Sequence, residues 1–388
     1  MYLRHLSLTN FRNYARQELP LGPGAVLLLG ENAQGKTNLL EAAFLLATGR
    51  SERADSDADF IAWPVRGDPQ PVARVVGTAQ RGDAEVSVEV AVAGREGARG
   101  ALVASKRFKL NGVPRRASDV IGAITAVLFT TDDMELVKGS PSGRRRYLDV
   151  MLSQVDRPYL RALQRYTKVV TQRNALLKRV QEGASRRDEL TYWDEELARD
   201  GATLLVTRAR AVADLALSAA EVHGRLSGER EHFALAYAPR FSDAWPPARL
   251  AAADAADAAS ALLDRLQQTH PRDVAAGVTL IGPHRDDLGM TLGGEPASAF
   301  ASRGQQRTAA LALRLAEARL LHERGGERPI LLLDDVLSEL DESRRESVLE
   351  AIEADQVLIT SADPDRFGAA YVAGAQVWRI AGGVAQRE

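Results

Sequence analysis

The chain contains no cysteine, so disulfides and thiolate metal sites are excluded. No apolar run approaches the roughly 18 residues that a membrane span requires. The opening Met1-Tyr2-Leu3-Arg4-His5 lacks the apolar core of a secretory signal, and a cytoplasmic location is expected. Internal repeats and low-complexity tracts are missing, and no sustained heptad pattern supports long coiled-coil arms. No spacing of histidine and aspartate suggests a zinc site. Net charge is only −2, so the global balance does not announce a polyanionic partner.

What is present is an ordinary globular composition, 45% hydrophobic and 26% charged over 388 residues, enough for two or three domains. Charge is distributed unevenly. Arg95 to Arg116 holds seven basic residues against one acidic, and Lys138 to Arg146 holds four basic residues and no acid. Such clusters are either solvated faces or polyanion-binding surfaces.

The periodicity is mixed in the first third. Leu6 and Leu8 alternate as in a half-buried strand, and Ala25 to Leu29 reads as a buried parallel strand. Leu39 to Ala47 predicts a helix stopped at Gly49. Val86, Val88, Val90 and Val92 predict an antiparallel strand, Asn111-Gly112 a hairpin turn, and Ile124 to Phe129 another buried strand. From Ser140-Pro141 to about His270 the chain reads as mostly helical, with Leu160, Leu163, Tyr166 and Val170 at helical spacing. Strand signals return at Val278 to Ile281, Ile330 to Leu333 and Val357 to Ile359. The economical reading is an α/β head, residues 1–138 and 275–388, interrupted by a helical arm, residues 139–274.

Gly30-Glu31-Asn32-Ala33-Gln34-Gly35-Lys36-Thr37 fits the phosphate-binding loop without deviation. Its glycines let backbone N–H groups turn inward as an anion nest, the following helix adds its positive end, and Asn38 is expected to bind the nucleotide with the loop. Lys36 is expected on the β- and γ-phosphates and Thr37 on Mg²⁺. The run Ile330 to Leu333 ends in Asp334 and Asp335; Asp334 is placed to hold the metal and Asp335 to polarise a water. Ser302-Arg303-Gly304-Gln305-Gln306 opens a helix running to about His322, where unpartnered N–H groups form a second anion site unless Ser302 serves only as an N-cap. Ser338-Glu339-Leu340-Asp341 follows the double acid.

In that order these motifs resemble the ABC-type ATPases, in particular their chromosome-maintenance branch. Further stretches are similar to the RecF family of recombination mediators: Asn10-Phe11-Arg12-Asn13-Tyr14, Lys138-Gly139-Ser140-Pro141, Arg144-Arg145-Arg146-Tyr147-Leu148-Asp149, Gln172-Arg173-Asn174, and Gly282-Pro283-His284-Arg285-Asp286-Asp287-Leu288. The resemblance implies an ABC-type P-loop head with a mixed sheet, antiparallel strands and an inserted helical domain. It implies a homodimer around two ATP molecules with Mg²⁺, in which Ser302, Gly304 and Gln305 of one chain cap the γ-phosphate held by Lys36 of the other, and Asp341 communicates across the interface. It also implies binding to gapped single- and double-stranded DNA, weak DNA-dependent ATP hydrolysis, and loading of a RecA-type recombinase with RecO and RecR. The 264 residues between Thr37 and Ser302 exceed the insertion of a transporter ATPase.

The sequence departs from the wider class in ways that imply slow turnover. Ala301 and Arg303 replace the usual leucine and glycine, and Asp335 replaces glutamate. No histidine follows His322, so Thr360, Ser361 or Asp363 must serve for the switch histidine; the loop Thr130 to Asp133 has no glutamine. Arg12 and Asn13 either touch the nucleotide or only form a hairpin turn. His284 reads as a hydrogen-bonded turn histidine, with Arg285, Asp286 and Asp287 as an ion-pair cluster. Lys106, Arg107, Lys109, Arg115, Arg116, Lys138, Arg144, Arg145 and Arg146 are the candidates for DNA phosphates.

Overall fold

The apolar run before Gly30 forms the strand Gly24–Leu29 at the centre of a six-stranded sheet. Its neighbours are the fully buried Gln356–Ser361 and the half-buried Gln376–Ala381, both parallel to it, and the parallel order continues outward through Ile330–Asp334 to Ala126–Thr130. Continuous apolar strands of this kind are what a sheet covered on both faces demands. A computed structural model describes residues 1–97, 101–229, 231–340, 342–363 and 366–388.

A second six-stranded sheet is antiparallel, in the order Tyr14–Pro20, Tyr2–Phe11, Val72–Arg81, Ala84–Glu96, Leu102–Leu110, Val113–Arg115. Its last hairpin turns at Asn111 and Gly112, both at positive φ (50° and 77°), as a tight two-residue turn requires. The helix Lys36–Thr48 touches strands of both sheets. It is therefore buried nearly all round, with Leu39, Leu40, Phe44, Leu45 and Leu46 at 1% exposure or less. Each contributes about 1.5–3 kcal/mol of apolar burial, which holds the phosphate-binding loop rigidly at the helix start.

The described chain divides into two compact units, Met1–Asp133 with Glu317–Glu388, and Met134–Ala316. The second contains the helices Pro141–Val155, Arg157–Gln181, Leu190–Ser227 and Ala255–Ala276, with a three-stranded antiparallel sheet of Phe233–Ala238, Asp287–Leu292 and Glu295–Pro296. The longest helix has 38 residues, roughly 57 Å at 1.5 Å per residue. Residues 275–316, which the sequence reading assigns to the head, pack with this unit because Asp287–Leu292 pairs with Phe233–Ala238. Val278 to Ile281 is not the expected strand. Thr279 is instead held by side chains: its N–H donates to Asn174 Oδ1 (2.8 Å), and its hydroxyl accepts from Arg173 Nη1 (2.8 Å). Among the described residues no helix is long and apolar enough to cross a membrane.

Candidate nucleotide site and basic surface

The loop from Gly30 to Gly35 leaves the central strand and enters the helix at Gly35, whose φ of 118° is open to glycine. A side chain at Gly35 would also strike Asn13 and the Tyr14 hydroxyl. Lys36 is 7% exposed, and its Nζ donates to the carbonyls of Gly30 (2.6 Å) and Glu31 (2.9 Å). Burial lowers its pKa, opposed by the nearby carboxylates of Asp335 and Asp334.

Parallel register brings the acids to the loop. Asp334 lies level with Thr130 on one side and Thr360 on the other. Thr37 Oγ1 and Thr360 Oγ1 each donate to Asp334 Oδ1 at 2.9 Å, and Thr360 Oγ1 accepts from the Asp335 N–H at 2.9 Å. Burial raises the Asp334 pKa against these two hydroxyl donors. Asp335 has a left-handed backbone (φ 55°), and its Oδ1 is buried with no hydrogen-bond partner among the described residues. Of the three candidates to replace a switch histidine, Thr360 stands against both acids. Ser361 is turned onto Asp363, accepting from its N–H and donating to its carbonyl. In the loop after Phe129, Asp133 accepts from the Thr130 N–H (2.8 Å).

Asn13 and Arg12 have different surroundings. Asn13 Nδ2 donates to the Gln34 carbonyl (2.9 Å) and its Oδ1 accepts from Asn38 (2.8 Å), strapping the phosphate-binding loop. Arg12 forks onto the buried carboxylate of Glu41 (2.8 and 2.6 Å) and donates to the Asp59 carbonyl (3.0 Å). A cleft of about 590 Å³ opens beside them, lined among others by Asn10, Arg12, Asn13, Asn38, Arg53 and Trp63. Trp63 is 77% exposed, with the Arg66 guanidinium 4.2 Å from its ring centre. Arg53 and Trp63 were not singled out from the sequence, where Arg53 lies in a polar stretch and Trp63 in the short apolar run Phe60 to Val65, neither within a motif.

Ser302 lies exposed in the second unit, at the start of the helix Arg303–Gly325. It accepts from the Gln305 N–H (3.3 Å), while Gln305 Oε1 accepts from the Ser302 N–H (2.7 Å), so the expected cap is present as a reciprocal pair. Asp341 lies outside the described residues.

The basic clusters separate. Arg107, Arg115 and Arg116 are exposed with no ion pair among the described residues, whereas Lys106 pairs with Asp57 (2.7 Å), Lys109 with Glu89 (3.0 Å) and Lys138 with Glu135 (3.0 Å). Arg144 is not a free phosphate ligand: it is buried and forks onto Asp287 (2.7 and 3.0 Å). Arg145 donates to the Asp286 carbonyl (2.7 Å), and Arg146 is exposed. The Gly282 to Leu288 stretch is structural. His284 Nδ1 accepts from the Tyr166 hydroxyl (2.7 Å) and its Nε2 donates to the Thr279 carbonyl (3.0 Å), with burial pulling its pKa down to about 4. Arg285 donates to the same carbonyl and has no ion pair among the described residues, while Asp286 binds Arg208 (3.2 Å) and Asp287 binds Arg144, so the expected cluster forms without Arg285.

The RecF/RecN/SMC N terminal domain model matches residues 2–379. The DNA replication and repair protein RecF of Roseiflexus castenholzii is 44% identical over 99% of both chains, and that of Chloroflexus aggregans is 42% identical over 99% of both. Among solved structures, the recombination mediator protein RecF-ATP of the RecFOR pathway superposes with a TM-score of 0.85 at 32% identity, covering 100% of this chain and 97% of that one. The Smc head domain of Pyrococcus furiosus, at 17% identity and a TM-score of 0.50, shares the fold. Matched by the family model over residues 2–379 and by relatives 42–44% identical over 99% of both chains, the chain belongs to the RecF family.

Proposed function

We propose that the chain is an ATP-gated DNA-binding recombination mediator acting in the cytoplasm, and that two copies close around two ATP molecules. The observation that carries the reading is the hydrogen bond from Thr37 to Asp334, which joins two nucleotide motifs 297 residues apart. Full-length relatives named for DNA replication and repair, and a solved relative described with ATP, support it.

In this reading the phosphate-binding loop offers inward N–H groups and Lys36 to the β- and γ-phosphates. Thr37 and Asp334 would hold Mg²⁺. The buried, unpartnered Asp335 Oδ1 and the all-oxygen donor set fit a hard cation. That ion, when bound, neutralises charge on the phosphates. Thr360 orients the Asp334 carboxylate, and Asp335 accepts a proton from the attacking water. Because the Asp335 side chain is shorter than a glutamate and Thr360 stands where a histidine is usual, turnover is slow. The unit bearing the loop is the ATPase head; the unit Met134–Ala316 carries the arm and the signature serine.

Ser302 and Gly304 of one copy, with Asp341, complete the site of the other. The exposed Arg107, Arg115 and Arg116, with Lys106 and Lys109 on the same sheet, and Lys138 and Arg146 in the other unit, contact DNA phosphates at gaps without reading sequence. RecO and RecR then join in loading the recombinase.

Sedimentation of the wild type with ATP and Mg²⁺, with and without gapped duplex, tests this. The wild type should associate, whereas Lys36→Met and Ser302→Arg should remain monomeric. A wild type that stays monomeric with ATP and DNA would sink the two-copy site.

A further inference from the structure

The signature helix is tied to the arm by one carboxylate. Gln305 Oε1 caps the Ser302 N–H, and the amide nitrogen of the same side chain donates to Glu231 Oε1 (2.9 Å). Behind Glu231 lies His223, fully buried, with Nε2 3.6 Å from Glu231 Oε2 and its ring stacked on Phe233 at 5.2 Å. Burial lowers the His223 pKa against the pull of Glu231. His223 belongs to the end of the long arm helix Leu190–Ser227. The chain then reverses through Gly228 and Glu229, both left-handed (φ 66° and 57°), to reach Glu231.

A glutamine amide can face either way, presenting oxygen or NH₂. Only the orientation with oxygen toward Ser302 caps its N–H. Glu231, an acceptor without a proton to give, selects that orientation by taking the NH₂. The consequence falls on the helix start. The N–H groups of Ser302 and Gln305 are satisfied, and the Ser302 hydroxyl accepts from Gln305. The N–H groups of Arg303 and Gly304 have no acceptor among the described residues. With Gln305 reversed, NH₂ would face the Ser302 N–H and the cap would open.

We infer that Glu231 is a positioning residue for the phosphate-capping serine: acting through Gln305, it holds Ser302 and the first N–H groups of the signature helix in the arrangement that receives the partner's γ-phosphate. This rests on the two-copy reading above. It makes the end of the arm helix part of what sets the affinity of ATP-dependent pairing, although Glu231 touches no nucleotide.

The test is ATP-dependent association of the full chain by sedimentation, with ATP binding measured separately on a Ser302→Arg background that cannot pair. Glu231→Ala should weaken association by about tenfold and leave ATP binding within about twofold, since the phosphate-binding loop lies in the other unit. Gln305→Glu, which sets two carboxylates against each other, should weaken association at least as much. The exchange Glu231→Gln with Gln305→Glu restores a donor facing an acceptor and should recover most of the loss. An alanine variant that pairs like the wild type overturns the inference, and so does an exchange that recovers nothing relative to Gln305→Glu. If the alanine variant folds poorly, the exchange alone decides. A wild type that never pairs with ATP refutes the two-copy reading instead.

Discussion

At Asp335 a left-handed backbone coincides with a buried carboxylate oxygen that has no hydrogen-bond partner among the described residues. Such a backbone costs about 1–3 kcal/mol, and it persists because the strand before it and the Thr360 hydroxyl on its N–H leave little alternative. Asp335→Asn should lower phosphate release by about 100-fold while ATP-dependent association survives; unchanged release would remove Asp335 from the reaction. His284 offers a pH test. Its folded pKa of about 4 lies below the ordinary 6.5, so the unfolded chain binds its proton first. The stability it contributes is complete above about pH 6.5 and is lost as pH falls toward 4. From pH 7.5 to 5.0 the wild type should lose about 1–2 kcal/mol more than His284→Gln in urea unfolding. Equal losses would contradict the buried neutral imidazole.

Between elements, buried polar ties add to the apolar packing of the arm. Arg173, fully buried on the helix Arg157–Gln181, pairs with Asp194 (2.8 Å) on the long helix and with Asp273 (2.7 Å) on Ala255–Ala276. His270 adds a bond to Asp194 (2.5 Å). One guanidinium thus sets the mutual register of three helices. Arg173→Met would take the balancing charge away from two buried aspartates and should cost about 3–5 kcal/mol, measurable as a lower urea midpoint. A midpoint within experimental scatter of the wild type would show that the aspartates find water or another partner. Arg208 does similar work with Asp149 (2.8 Å), Asp286 (3.2 Å) and the Tyr159 hydroxyl (3.0 Å). The family-like stretches around Arg173 and His284 are therefore scaffolding for the arm.

On the scale of the molecule, the exposed arginines of the antiparallel sheet should govern affinity for DNA. Arg107, Arg115 and Arg116 lie on the adjoining strands Leu102–Leu110 and Val113–Arg115 or just after them, at the edge of the sheet in the same unit as the phosphate-binding loop. Arg115→Glu with Arg116→Glu should weaken ATP-dependent binding to gapped duplex, and should flatten the dependence of log affinity on log salt by about 1–2. Fluorescence anisotropy across a salt series measures both. An unchanged slope would move the DNA contact to another surface, such as that of Lys138 and Arg146.

The order of motifs along the chain determined the family and the nucleotide chemistry, because a strand, a glycine loop and a helix start are local and their residue types are narrowly constrained. The parallel strands were legible for the same reason: four of them are short apolar runs. The strand Phe233–Ala238 was not, since Phe-Ala-Leu-Ala-Tyr-Ala differs little from the helical stretches around it and becomes a strand only by pairing with Asp287–Leu292. Nor could local pattern separate Arg144 from Arg107; both are arginines in basic clusters, and only folding sets Asp287 against one of them. The same holds at the site itself. Lys36, Thr37, Asp334 and Asp335 could be named from sequence, but the placement of Thr360 against both acids, the strain at Asp335 and the carboxylate behind Gln305 depend on groups far apart in the chain. Their positions are decided by sheet register and helix packing, which no local pattern encodes.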